Sequence, residues 1–346
     1  MPSLGQNVAA WCVEQFEWRQ TAVSVRPLSL GIFERLFRSR RVYVVDVRER
    51  TSGKRASFVL KTYDNRELAA EEFRILSELN HHFRSSSEGF GVPTPMGLLQ
   101  DIPGLLMQLI TGKRLDRIVW PLFPNRRSRQ VAAEAVRKAA TWLAIYHKMA
   151  CPEEDGRQLP WDSPLGRARS ALARCSGNGL PQLAVKTIER WILAAEDRID
   201  DKEIQRVPTC PDAFAPDHIF VSNLETSVID FEWHSCGWQA EDLADFLLYF
   251  ELKSTFPPPS LTFEEYSRHL LQSYTSGSEL GLTMEVGIDA CFLVGLMETF
   301  LAPRHMNSAT FREGQFVRWK SRIAKDRIMR RSRSGEWECA VGRKAV

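Results

Sequence analysis

The chain of 346 residues is 44% hydrophobic and 26% charged, an ordinary globular composition with room for two lobes or domains. Its 46 basic and 43 acidic side chains leave a formal net charge of +3, a near balance that implies no polyanion as main partner, so nucleic acid is not expected. The 7 cysteines are odd in number, scattered and without a C-x-x-C pair, which argues against a disulfide framework or zinc site and for a reduced, cytoplasmic chain.

At the N-terminus, MPSLGQNVAAWCVEQFEWRQ carries Glu14 and Glu17 where a signal peptide needs an unbroken apolar core. From TAVSVRPLSL through RRVYVVDVRER to RASFVLKTY, β-branched and aromatic runs alternate with charged or glycine-bearing turns, so a small antiparallel sheet is predicted to open the protein. The stretch NRELAAEEFRILSELNHHF follows, with Leu68, Phe73, Leu76 and Leu79 at helical spacing. GFGVPTPMGLLQDIPGLLMQLI reads as loop, strand, turn, strand.

After TGKRL the pattern changes to long helices: SRQVAAEAVRKAATWLAIYHKM, LPQLAVKTIERWILAAEDRI, TFEEYSRHLLQSY and MEVGIDACFLVGLMETFL. The last holds Asp289 and Glu298 and falls short of the roughly 20 apolar residues that span a bilayer, so no membrane partner is expected. Loops are predicted at RSSSEG, FPPPS, Pro121 to Asn125 and CPEEDGRQLPWDSP. The basic run KDRIMRRSRSGEWECAVGRKAV reads as a solvated, partly disordered tail ahead of the alternative, a nucleic-acid or membrane contact.

Two constellations could carry chemistry. Lys61 ends the strand-like run SFVLK, and Glu72 follows in the next helix; a lysine fixed by a helix carboxylate can hold nucleotide phosphates, although each residue alone also suits a solvated surface. In TSVIDFEW, Asp230 ends a buried-type strand, where a carboxylate is costly unless a cation or donor meets it; a Mg²⁺ ligand and a turn aspartate both fit. Asp242 in AEDLADFLLYF reads equally as a helix-start carboxylate or a buried structural partner.

The order SFVLK, EEFRIL, LLMQLITGKRL, TWLAIYHKM, FAPDHIFV, VIDFEW, AEDLADFL resembles the aminoglycoside phosphotransferase and choline-kinase-like branch of the protein-kinase-like fold, over about residues 23 to 250. The resemblance implies an α+β, bilobal protein: a small β-rich nucleotide-binding N-lobe over 1–110, a larger helical C-lobe with the catalytic-loop and metal-site segments over 111–325, and a basic tail over 326–346. It also implies ATP and Mg²⁺ as cofactors and a small hydroxylated molecule as acceptor. Carried over residue by residue, Lys61 would bind the α- and β-phosphates with Glu72 as its helix partner. Gln108 and Ile110 in QLITG would form the adenine hinge, His147 falls in the L-A-x-L-H helix, and Asp230 would bind Mg²⁺.

The catalytic loop departs from the family pattern H-G-D-F-x-P-x-N-I-L. Aligning Phe214, Pro216 and Ile219 puts Pro211, Asp212 and Ala213 in place of His, Gly and Asp, and His218 in place of the metal-binding Asn. The base position thus falls on Ala213; Asp212, adjacent, is the candidate catalytic carboxylate if a one-residue bulge brings it into place, although in extended backbone it points the other way. His218 is a poor ligand for hard Mg²⁺, which prefers oxygen. The nucleotide loop RPLSLGIFERLFRSRR offers only Gly31 for close approach to phosphate, with Arg35, Arg38, Arg40 and Arg41 as alternative binders or solvated turn charges. Trp233, His234 and Trp238 read as acceptor-pocket residues or as packing. An ATP-dependent phosphotransferase and a non-catalytic, pseudokinase-type binding or scaffolding protein both remain open.

Overall fold

The computed structural model describes residues 3–18, 21–27, 42–86, 89–151, 163–199, 206–210, 214–231, 234–253, 258–276, 281–304 and 311–334. The expected nucleotide loop with Gly31 and Arg35 to Arg41, the Pro211–Ala213 stretch, Trp233 and the tail beyond Ser334 lie outside the described residues. Two compact units partition the chain: residues 1–112 with 222–232, and residues 113–221 with 233–346.

In chain order the first unit holds α1 (Leu4–Phe16), β1 (Thr21–Pro27), β2 (Val42–Glu49), β3 (Arg55–Thr62), α2 (Arg66–Ser86), β4 (Phe90–Gly91), β5 (Pro95–Leu98) and β6 (Gly104–Gln108). Then come β7 (Lys113–Arg114), α3 (Leu115–Val119), α4 (Arg126–Tyr146), α5 (Pro164–Ser176), α6 (Gln182–Glu196), β8 (Arg206–Thr209) and β9 (Ile219–Val221) of the second unit. β10 (Thr226–Val228) returns to the first. The second ends with β11 (Ser235–Trp238), α7 (Gln239–Lys253), α8 (Phe263–Tyr274), α9 (Leu282–Leu301) and α10 (Phe311–Ser334).

The first unit opens with a helix rather than with the expected sheet. Ser3 and Gln6 form a reciprocal capping box that starts α1, a helix signal not used in reading this stretch against a signal peptide. The sheet has strand order β1-β2-β3-β6-β5, antiparallel throughout. Val8, Trp11 and Cys12 of α1 pack on Val45, Val47, Phe58, Leu60 and Leu106 of one sheet face. Gly97 makes this docking fit, because a Cβ there would lie 2.5 Å from Trp11 Nε1. Burial pushes the Cys12 thiol up to about 11.

The α2 stripe is offset from the one predicted. Leu68 is 42% exposed, and the buried face runs through Ala69, Glu72, Leu76, Leu79 and Phe83. A carboxylate takes a core position that apolar periodicity alone could not assign. β10 joins this unit by pairing in parallel with β4, Thr226 opposite Phe90. The segment with Asp230, expected in the helical lobe, therefore groups with the first unit.

The second unit is helical around an aromatic stack. Trp142, Phe214, Phe246 and Tyr266 are all below 2% exposed, with successive ring centroids 6.0, 4.9 and 5.1 Å apart. The apolar α9 packs among α5, α7 and α10. The basic stretch from 326 is helical as far as Ser334 rather than a tail, with Ile328 fully buried on α10. A disulfide joins Cys151 to Cys236, Cα–Cα 5.7 Å, against the expected all-reduced chain; partners 85 residues apart leave no spacing motif to read. Cys12, Cys175, Cys210 and Cys291 are buried free thiols. Among the described residues no helix is long and apolar enough to cross a membrane.

Candidate active site

Strand alternation sets the site in the first unit. Phe58 and Leu60 of β3 point into the α1 face, so Lys61 points to the other, toward α2. There Lys61 Nζ donates to both carboxylate oxygens of Glu72, at 3.1 and 2.9 Å. It also donates to Asp230 Oδ1 at 2.7 Å. The side chains of Lys61, Glu72 and Asp230 are 7%, 3% and 21% exposed, so this ion triad is buried on one side and open at the aspartate. Two carboxylates on one ammonium hold the cation in a fixed place and offset the cost of burying it.

Tyr63 was missed by sequence reading. It lies two residues after Lys61 and thus on the same face of the strand, and its hydroxyl donates to Glu72 Oε2 at 2.7 Å. The alternation that placed Lys61 would have flagged it. Asp230 has φ +77°, a left-handed conformation that a non-glycine residue adopts at some cost. The tight turn before β10, in which Ser222 N–H donates to Glu225 O at 2.8 Å, and the Thr226 N–H bond to Gly89 O at 2.9 Å fix the strand that delivers Asp230.

Gln108 ends β6, and its N–H donates to Thr94 O at 2.8 Å. That donor is committed, so of the two expected hinge residues Ile110 is the one with its backbone beyond the strand end.

The second unit holds a separate polar cluster. His147, at the end of α4, places Nε2 2.9 Å from Asp242 Oδ2 and Nδ1 2.7 Å from Tyr274 OH. Asp242 is 1% exposed and accepts the Cys210 N–H at 3.2 and 3.3 Å, which identifies it as a buried structural partner. Phe214 N–H in turn donates to Cys210 O at 3.3 Å, and the Phe214 ring is locked in the aromatic stack. Both flanks of the Pro211–Ala213 stretch are therefore anchored. Burial first, and then the Asp242 charge, push the Cys210 thiol well up, so it stays protonated.

His218 N–H donates to Ala215 O at 2.8 Å in the turn leading into β9. His234 Nδ1 lies 2.7 Å from Tyr146 OH, and Trp238 is half-buried on β11. Among the described residues no group of three or more His, Cys, Asp or Glu side chains is arranged to hold a metal ion.

Residues 35–279 match the sequence pattern described as the phosphotransferase enzyme family. No curated protein sequence matches the chain. Among solved structures, an ethanolamine kinase from Plasmodium vivax is 14% identical with a TM-score of 0.55, over 90% of this chain and 83% of that one. A macrolide 2′-phosphotransferase from Brachybacterium faecium is 16% identical with a TM-score of 0.53, over 100% of both chains. The aminoglycoside 2′-phosphotransferase-IIIa, in its GDP complex, is 13% identical with a TM-score of 0.58, over 95% and 99%. At such identities the likeness concerns the fold, a mixed α+β fold of the protein-kinase-like kind with a sheet-bearing N-terminal and a helical C-terminal part. The family match covers most of the chain and takes in Lys61, Glu72 and Asp230, and on it the chain belongs to the phosphotransferase enzyme family.

Proposed function

We propose that the protein transfers the γ-phosphoryl group of ATP to a hydroxyl of a small molecule. The observation that carries this reading is the Lys61 ammonium held jointly by Glu72 and Asp230. Lys61 would meet the α- and β-phosphate oxygens, Glu72 would keep it aimed, and Tyr63 would keep Glu72 from turning away. The Ile110 backbone would meet the adenine edge. The solved kinase folds similar to this chain include one bound to GDP and one bound to AMP-PNP and Ca²⁺, which supports a nucleotide.

The residues present fit Mg²⁺ in part. Asp230, partly open and held by its own backbone conformation, offers the oxygen donor that the ion prefers; His218 offers nitrogen and is not proposed as a ligand. Bound there, Mg²⁺ would neutralise the charge that builds on the phosphate oxygens. In the transfer, the acceptor oxygen forms a bond to the γ-phosphorus, the bond to the β,γ-bridging oxygen breaks, and ADP leaves. The acceptor proton passes to Asp212 or to water, because Ala213 at the aligned position has no base. General-base help is worth about 10²- to 10⁴-fold, so turnover without it is slower by that order. The cytoplasm, where ATP is abundant, suits such a reaction.

Calorimetric titration of ATP with and without Mg²⁺, on the wild type and on Asp230→Ala, tests the nucleotide site. Metal-dependent binding that the variant loses supports it and leads to a phosphate-transfer screen over aminoglycosides, sugars and amino-alcohols; absence of binding by the folded wild type rejects it. A second reading, a non-catalytic binding or scaffolding protein, is favoured by Ala213, by His218 in the metal-ligand position and by the single glycine, Gly31, in the nucleotide loop. Nucleotide binding without transfer in both the wild type and Ala213→Asp would favour it over the first.

A further inference from the structure

The loop between α3 and α4 exposes side chains that no described residue covers. Leu122 and Phe123 are 81% and 84% exposed, and Pro121 and Pro124 on either side stiffen the loop that presents them. Such a pair is left in water at a cost, unless another surface takes it.

Directly behind it, α4 begins with Arg126, Arg127 and Arg129 and has no acidic residue in its first turn. This is the reverse of what the helix dipole favours. A cavity of about 420 Å³ opens beside them, lined by Arg126, Arg129, Gln130, Ala133, Leu261 and His269. Of the arginines around it, Arg129 is paired with Glu265, and Arg137 with Glu134. Arg126, Arg127 and Arg268 have no carboxylate partner among the described residues. Burial first, then the charges of Arg137, Arg268 and Arg129, push His269 below its usual range, which marks the positive field at the cavity.

We propose that this face binds an anionic lipid surface, with Leu122 and Phe123 entering the acyl boundary and Arg126, Arg127 and the cavity receiving lipid phosphate. An apolar tip and a basic cluster together supply the two signals that peripheral attachment needs, and the charge of the face selects anionic headgroups. This departs from the sequence-based expectation of no membrane partner, which weighed a spanning run and the basic tail but not this loop.

Co-sedimentation with vesicles of phosphatidylcholine alone, and of phosphatidylcholine mixed with phosphatidylserine, tests the proposal on the full chain. The wild type is expected on the mixed vesicles and not on the neutral ones, with attachment weakening as salt rises. Each arginine near such a surface is worth about 5-fold in partition, so Arg126→Gln with Arg127→Gln should lose about 25-fold. Leu122→Ser with Phe123→Ser should lose attachment while leaving the circular dichroism spectrum unchanged. Equal partition of the wild type onto both vesicle types, or wild-type partition by the double glutamine variant, overturns it. Absence of vesicle binding also overturns it and would give the face to a protein partner.

Discussion

Lys61 Nζ stands 2.7 Å from Asp230 Oδ1, although 169 residues separate them in the chain. The same ammonium is bonded to both oxygens of Glu72. Removing the cation leaves two carboxylates facing each other in a poorly hydrated place, whereas removing one carboxylate leaves the cation with the other.

Lys61→Met is therefore expected to destabilise the protein by about 3–5 kcal/mol, and Glu72→Gln by less, roughly 1–3 kcal/mol. Urea denaturation gives both values. Equal losses, or the reverse order, would show that Asp230 does not share the lysine.

The left-handed backbone at Asp230 separates two effects of substitution. Asp230→Gly removes the carboxylate and accepts φ +77°, while Asp230→Val removes it and adds strain of about 1–2 kcal/mol. Both should abolish Mg²⁺-dependent ATP binding, and thermal melts should rank valine well below glycine. If the two melt together, the conformation is not held in solution.

Gly97→Ala tests the docking of α1 on the sheet. The new methyl would stand 2.5 Å from Trp11 Nε1, so the helix must shift, at a cost of about 1–3 kcal/mol. Pairing it with Trp11→Phe should recover part of the loss, and a lowered melting temperature unaffected by that second change would point to a different cause.

Asp116 predicts part of the acid response. Burial raises its carboxyl pKa, but the Arg114 hydrogen bonds at 3.0 and 2.7 Å and the Lys253 charge at 2.9 Å outweigh burial, and the net direction is down. A depressed folded-state pKa gives stability that is present above the unfolded value, near 3.8, and is lost as pH falls through the folded one. The melting-temperature gap between wild type and Asp116→Asn should be widest above about pH 4 and close below it. A gap constant across that range would mean that Asp116 is not held ionised.

Asp242→Ala strands His147 Nε2 and the Cys210 N–H in a dry interior, and about 3–5 kcal/mol of stability should go with it. Hydrogen exchange at the Cys210 amide, faster in the variant than in the wild type, would localise the effect to the flank of Pro211. Unchanged exchange there would assign the anchoring to Phe214 instead.

Much of this was legible because it is local or repeats a known order. Lys61 and Glu72 sit on adjoining elements, and strand alternation with helix spacing suffices to bring them together. Asp230 was visible as a charge at the end of an apolar run, but its allegiance to the sheet was not, since parallel pairing with β4 is a long-range contact. Leu68 misled because Glu72 takes the core position that an apolar residue would hold in an isolated helix. Tyr274, which closes the ring of contacts on His147, has no sequence signal at all: its role comes from the packing of α8 on α4.

The segment 222–232 also governs how the protein can be made. β10 and Asp230 are translated long after β6, so the sheet-bearing unit leaves the ribosome with β4 unpaired and Lys61 short of its second carboxylate. At about 5–20 residues per second the wait is on the order of ten seconds. The first unit to begin is thus completed only after much of the second has been synthesised, and a chain halted at Gly112 would hold all five strands of its main sheet but leave β4 without its partner β10.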